Sequence, residues 1–267
     1  MKKIIITTVI LIGFCKTSMA QDSYKKRYFI KNSIKYKEQF YNEAKENRDT
    51  KTVSLKLEKT DGTAINQKIL NLANSNKGLL SNVKFGEKGN SNKLYVNPWL
   101  VESETADYVD RDTVYYYELK NRQSVKIDFK QWSLNALSVP LKVRIGKNKT
   151  EFTTGANLGA IIGHTWGKTN FVHRKKVGNR QFDSKCTFGL FLGADKLEFS
   201  FKDDTDSEIK VKTAALSSGL GCFFSYEKFT FGAIGGFDFS FGENSSEWDF
   251  QGRPWLGISL GYSLFSF

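Results

Sequence analysis

Residues 229 to 241 read Phe229-Thr230-Phe231-Gly232-Ala233-Ile234-Gly235-Gly236-Phe237-Asp238-Phe239-Ser240-Phe241. Two unlike sets of side chains alternate here with period two, and only a β-strand keeps such sets on separate faces. One face carries Phe229, Phe231, Ala233, Phe237, Phe239 and Phe241; the other carries Thr230, Gly232, Ile234, Gly236, Asp238 and Ser240. A strand with one face in water sets Lys, Glu and Asp opposite its apolar face, whereas the second face here is mostly small. Small residues suit the crowded interior of a narrow barrel, and Phe suits acyl chains. The reading is an antiparallel transmembrane β-barrel. Its rival, a water-soluble sandwich with these aromatics in the core, predicts the same alternation.

The texture extends in both directions. Val125, Ile127 and Phe129 alternate with Lys126, Asp128 and Lys130, and Leu137, Val139, Leu141, Val143 and Ile145 with Ser138, Pro140, Lys142 and Arg144. Phe152, Ala156, Leu158, Ala160, Ile162 and Trp166 alternate with Thr153, Gly155, Asn157, Gly159 and Gly163. Strands are predicted over 113–120, 124–132, 137–145, 152–166, 186–202, 209–226, 229–241 and 254–265, about eight in all, with turns between them. Pro140 is awkward in this scheme, because it removes a ladder hydrogen bond from a convincing strand. Apolar phase also slips twice: Phe188, Leu190 and Leu192 give way to Leu197, Phe199 and Phe201, and Ile209 and Val211 to Leu220, Cys222 and Phe224. A bulge in each strand would do this, making 197–213 a hairpin that projects beyond the bilayer as a contact surface. Residues 171–185 are long for a periplasmic turn.

Of the 22 Phe and 22 Gly, 18 and 17 fall in residues 113–267, which sets the boundary of the expected barrel domain. Before it, residues 21–112 are expected to form a periplasmic N-terminal segment of mixed or partly disordered structure. There, 33–46 looks helical, 52–58 and 93–101 look like short strands, and 102–112 is an acidic linker. Residues 1–20 have the pattern of a signal peptide: Lys2 and Lys3, an apolar run from Ile4 to Phe14, and Ser18-Met19-Ala20 before the cut. That run is too short to span a membrane as a helix. The expected location is the cell outer membrane.

The chain ends on Trp255-Leu256-Gly257-Ile258-Ser259-Leu260-Gly261-Tyr262-Ser263-Leu264-Phe265-Ser266-Phe267, an alternating strand with a terminal Phe. It resembles the carboxy-terminal strand that the outer-membrane assembly machinery recognises. With Leu137-Ser138-Val139-Pro140-Leu141-Lys142-Val143 upstream, residues 113–267 resemble the PorT-like outer-membrane β-barrel domain. The resemblance implies a role in envelope biogenesis or secretion; the expected partners are outer-membrane lipid and lipopolysaccharide, which suit the positive charge, the assembly machinery through the carboxy-terminal strand, and an envelope protein.

No residue set predicts catalysis, a cofactor or a metal centre. His164 and His173 are the only imidazoles, without close-paired Cys ligands, and Gly163-His164-Thr165-Trp166 lacks the adjacent Ser of a lipid A-modifying enzyme. Cys186 and Cys222 fall in register if the hairpin folds about Asp204, as free thiols or as a cross-strand disulfide. Lys142, Arg144, Glu151, Asn157 and Asp238 would face the bore and plug it by mutual ion pairing. The expected function is thus a structural, binding or envelope-biogenesis role without catalysis; the alternatives are a channel and a lipid A-modifying barrel enzyme. A net charge of +12 without a compact basic and aromatic patch does not indicate a nucleic-acid partner.

Overall fold

The structure, a computed structural model, describes residues 26–262 except 43–46, 76–77, 88, 100–113, 148, 203–205 and 243. The expected signal peptide, the acidic linker at 102–112 and the terminal Phe267 lie outside the described residues. The fold is all-β and antiparallel, with one short α-helix and one 3-10 turn among the described residues. Among the described residues, no helix is long and apolar enough to cross a membrane. Two units divide it: residues up to 130 with Lys168–Phe182, and Gln131–Gly167 with residues from 183 onward.

In the first unit, β1 (Arg27–Ile30), β5 (Leu79–Phe85), β6 (Lys93–Pro98), β7 (Tyr115–Glu118) and β4 (Glu58–Lys59) lie side by side in that order. β1 also pairs with the start of β8 (Ser124–Ile145), setting Tyr28 opposite Phe129. Tyr28, Ile30, Leu94, Val96, Tyr117, Val125, Ile127 and Phe129 form its apolar core. Helix α1 (Gln67–Asn74) adds Ile69 and Ala73 to that core, and is capped by Asn66, whose side chain accepts from the Lys68 N–H at 2.9 Å. The helix expected over 33–46 is instead β2 (Ser33–Asn42), hairpinned with β3 (Asn47–Lys56). Ile34, Tyr36 and Phe40 all stand at even-numbered positions, so period two was present there behind good helix formers.

The second unit contains the rest of β8, most of β9 (Thr150–Val172) and β10 (Arg180–Lys202), then β11 (Glu208–Tyr226), β12 (Phe229–Ser240) and β13 (Pro254–Tyr262). Each pairs with the next, and β13 pairs back onto β8, so the strand arrangement is partly ring-like. Six long strands stand where about eight were expected. The predicted strands at 124–132 and 137–145 are one strand, and the predicted strand at 113–120 is β7 of the first unit.

Register corrects two further expectations. Ile258 opposes Leu141 but Leu260 opposes Ser138, so β8 holds one extra residue in a bulge around Pro140. A bulged residue has no ladder bond to give, which is how proline is tolerated there. The bulge also moves Leu141 and Ile145 to the exposed face while Leu137 and Val139 stay buried. Conversely, β10 and β11 pair without a break from Ser184 and Tyr226 to Lys202 and Glu208. The two bulges expected there are absent: the apolar residues change face along straight strands.

Candidate functional site

Polarity along β8 inverts without a change of phase. Its buried positions run Val125, Ile127, Phe129 and then Gln131, Ser133, Asn135; its outward ones run Lys126, Asp128, Lys130 and then Trp132, Leu134, Ala136. From residue 131 the polar side chains are covered and the apolar ones uncovered. The same holds along β12, where Phe231 is 58% exposed and Asp238 is 0% exposed. On β10 the outward positions Cys186, Phe188, Leu190, Leu192 and Ala194 are followed by Lys196, Glu198, Ser200 and Lys202, all exposed. Leu197 beyond that point is buried again. The second unit therefore carries an outward apolar band bounded by charge. Half-exposed, the four Phe of β12 together with Phe241 just beyond it present roughly 500 Å², comparable with the largest patch on a typical soluble monomer; five other strands add to it.

The buried face of this unit is layered. Ser133, Thr165 and Thr187 form a hydroxyl chain, Thr165 to Thr187 at 2.7 Å. Next come the apolar residues Leu137, Val139, Ile161, Phe191, Phe223, Ile234 and Trp255. Beyond them Asp238 bridges two cations: its carboxylate accepts from Lys142 Nζ at 2.6 Å and from Arg144 Nε at 2.8 Å, with Ser217 donating at 2.7 Å. Arg144 also reaches Asp195 at 2.7 Å and Glu151 at 3.7 Å. Aromatic rings flank both cations, Trp255 at 4.3 Å from Lys142 and Trp248 at 5.5 Å from Arg144. Leu197, Ala215, Trp248 and Phe250 form a final apolar layer. Close packing of small residues permits these faces: a Cβ on Gly163, Gly189, Gly219 or Gly236 would meet the backbone of the neighbouring strand.

The structure thus brings Lys142, Arg144, Glu151 and Asp238 together, and Asn157 joins through its bond to Ser217 at 3.2 Å. Sequence reasoning missed Asp195 and Ser217. Both sit on the same parity as their buried neighbours Gly193 and Ala215, but the supposed phase slips disguised it. His164 meets Trp132 edge-on and Trp166 at a tilt, with ring centroids 5.6 and 4.4 Å away. In the first unit His173 is bonded through Nδ1 to Asn179 at 2.7 Å, on the wall of an open polar groove of about 850 Å³ that also includes Lys56, Glu58, Glu118 and Lys120. Segment 171–185 resolves into the end of β9, a link at 173–179 tied to Asn121 and Gln123, and the start of β10. Cys186 and Cys222 are free thiols on the exposed face. Among the described residues, no three His, Cys, Asp or Glu gather as for a metal ion. No family model matches the chain, and neither does any curated protein or solved structure.

Proposed function

We propose that this is a small outer-membrane β-barrel protein with a structural, binding or envelope-biogenesis role and no catalysis, its second unit closed in lipid and its first in the periplasm. The observation that carries the reading is the outward apolar band of the second unit, which starts and stops within single strands. Water penalises such a face, and hydrocarbon favours it. Hydrocarbon also offers no partner to an unpaired N–H or C=O, so the return of β13 onto β8 supports closure into a barrel of six strands. From Cys186 to Ala194 the band is nine residues long, within the roughly 9–11 that a tilted membrane strand requires. Tyr226 and Phe229 flank the turn between β11 and β12, and Trp132 and Trp166 lie next to the ends of the Gln131–Gly167 stretch of the second unit, positions that suit an interfacial aromatic belt. Ions and aromatic rings fill the buried face, which favours a plugged barrel over a channel. The PorT-like texture of 113–267 supports an envelope role.

Cell fractionation followed by gel migration of unheated and heated samples tests the proposal. The expected result is an outer-membrane protein whose unheated form migrates faster than the boiled one. Recovery as a folded, detergent-free monomer would overturn it.

A further inference from the structure

Cys186 on β10 opposes Phe224, and Cys222 on β11 opposes Phe188, so the two cysteines are diagonal neighbours across an unbroken ladder. Both are on the exposed face, and their sulfurs are 3.8 Å apart. A disulfide bond is about 2.05 Å long, so pairing requires the sulfurs to close by roughly 1.8 Å. Rotation of two short side chains, with the small backbone adjustment that a diagonal pair calls for, covers that distance. The register on either side fixes the two strands, so the sulfurs stay neighbours. Cys186 lies two residues from Ser184 and Cys222 four residues from Tyr226, which faces Ser184, so the pair is nearer the Glu227-Lys228 end of the strands than the middle of the apolar band.

We infer that Cys186 and Cys222 are joined in the mature protein by an intramolecular disulfide, formed by exchange with a disulfide oxidant. One thiolate attacks the oxidant, giving a mixed disulfide and releasing one thiol. The second thiolate then attacks the protein sulfur and releases the other thiol. The two protein thiols lose two electrons and two protons, and the oxidant disulfide leaves as two thiols. The bond clamps the first half of β10 to the last residues of β11, at the end of the pair away from their 203–207 connection. In the cell this rests on the proposed export, because a reducing compartment would keep both thiols free.

The test has two arms. In the first, the chain from residue 21 onward is refolded in detergent micelles with oxidised glutathione, treated with a maleimide and digested without reduction. The expected products are a peptide linking Cys186 to Cys222, an intact mass about 2 Da below that of the reduced chain, and no maleimide uptake. The variant Cys222→Ser should then carry one glutathione on Cys186, which proves that the oxidant reaches the site. Two glutathione adducts or two labelled thiols on the parent chain would overturn the pairing. In the second arm the full-length protein is expressed in a Gram-negative cell and alkylated at lysis. A linked peptide there supports both the bridge and export. A bridge in the first arm with two alkylated thiols in the second upholds the pairing and overturns the export reading.

Discussion

Asp238 is the side chain on which the buried ion cluster turns, since one carboxylate holds both Lys142 and Arg144. A buried pair adds little net stability compared with an apolar substitute, but removing one partner strands the other charge. Asp238→Asn should therefore cost about 3–5 kcal/mol, read as a lower urea midpoint in micelles. Lys142→Met combined with Asp238→Leu should recover most of that loss, because Arg144 keeps Asp195 at 2.7 Å. An equal loss in both variants would mean that packing, not charge, explains the effect. In the first unit Tyr117 donates to the Lys31 carbonyl, and burial holds its phenol well above the ordinary tyrosine range. Tyr116, hydrogen-bonded to Glu58, is pushed up to about 12. A folded-state value above the unfolded one gives stability that is complete below about pH 10 and is lost as the pH rises through the folded value. Absorbance at 295 nm should accordingly show phenols that ionise only as the unit unfolds in alkali, with one fewer in Tyr117→Phe; a single transition near pH 10 would contradict this.

Two elements explain what was legible in the sequence. Alternation in β12 identified a strand with a small, polar buried face, and the grouping of Lys142, Arg144 and Asp238 followed from it. Alternation in β8 and β10 misled, for a physical reason. An apolar set moves from odd to even positions either when an extra residue turns the chain over or when the surroundings change from water to something apolar; spacing alone is identical in the two cases. The extra residue is real at Pro140 and absent from β10 and β11. Ser133-Leu134-Asn135-Ala136 likewise read as a break between strands, although it lies inside β8 just past the point where the strand changes polarity. Deleting Pro140 should therefore abolish the heat-shifted band on gels by turning Lys142 and Arg144 outward, while Pro140→Ala should stay within about 1 kcal/mol of the parent because the bulge survives. Similar behaviour of the two would remove the bulge from the explanation. On β10, Leu190→Lys should cost about 2–4 kcal/mol in lipid vesicles and Ser200→Lys about 0–1, since a charge is penalised only within the hydrocarbon. Equal costs would place both positions in one environment.

Each unit of the molecule has its own solvent logic. The first buries Val125, Ile127 and Phe129 and exposes Lys126 and Asp128, the ordinary arrangement in water. The second buries Ser133, Thr165, Lys142, Arg144 and Asp238 and exposes Phe231, Leu190, Ile258 and Leu158, which only an apolar surrounding rewards. Composition had already divided the chain near residue 112, yet the polarity changes at residue 131, inside a strand, where neither a turn nor a linker marks it. The claim that joins these observations is that the outward band of the second unit lies in lipid. A nitroxide scan tests it most directly: single cysteines at every position from 186 to 202, in a background with Cys186 and Cys222 replaced by Ser, reconstituted in lipid vesicles and probed with oxygen and a water-soluble nickel chelate. The account predicts that labels at 186, 188, 190, 192 and 194 collide with oxygen and are shielded from nickel, and that nickel access rises from 196 onward. Free nickel access at the positions from 186 to 194 would contradict it.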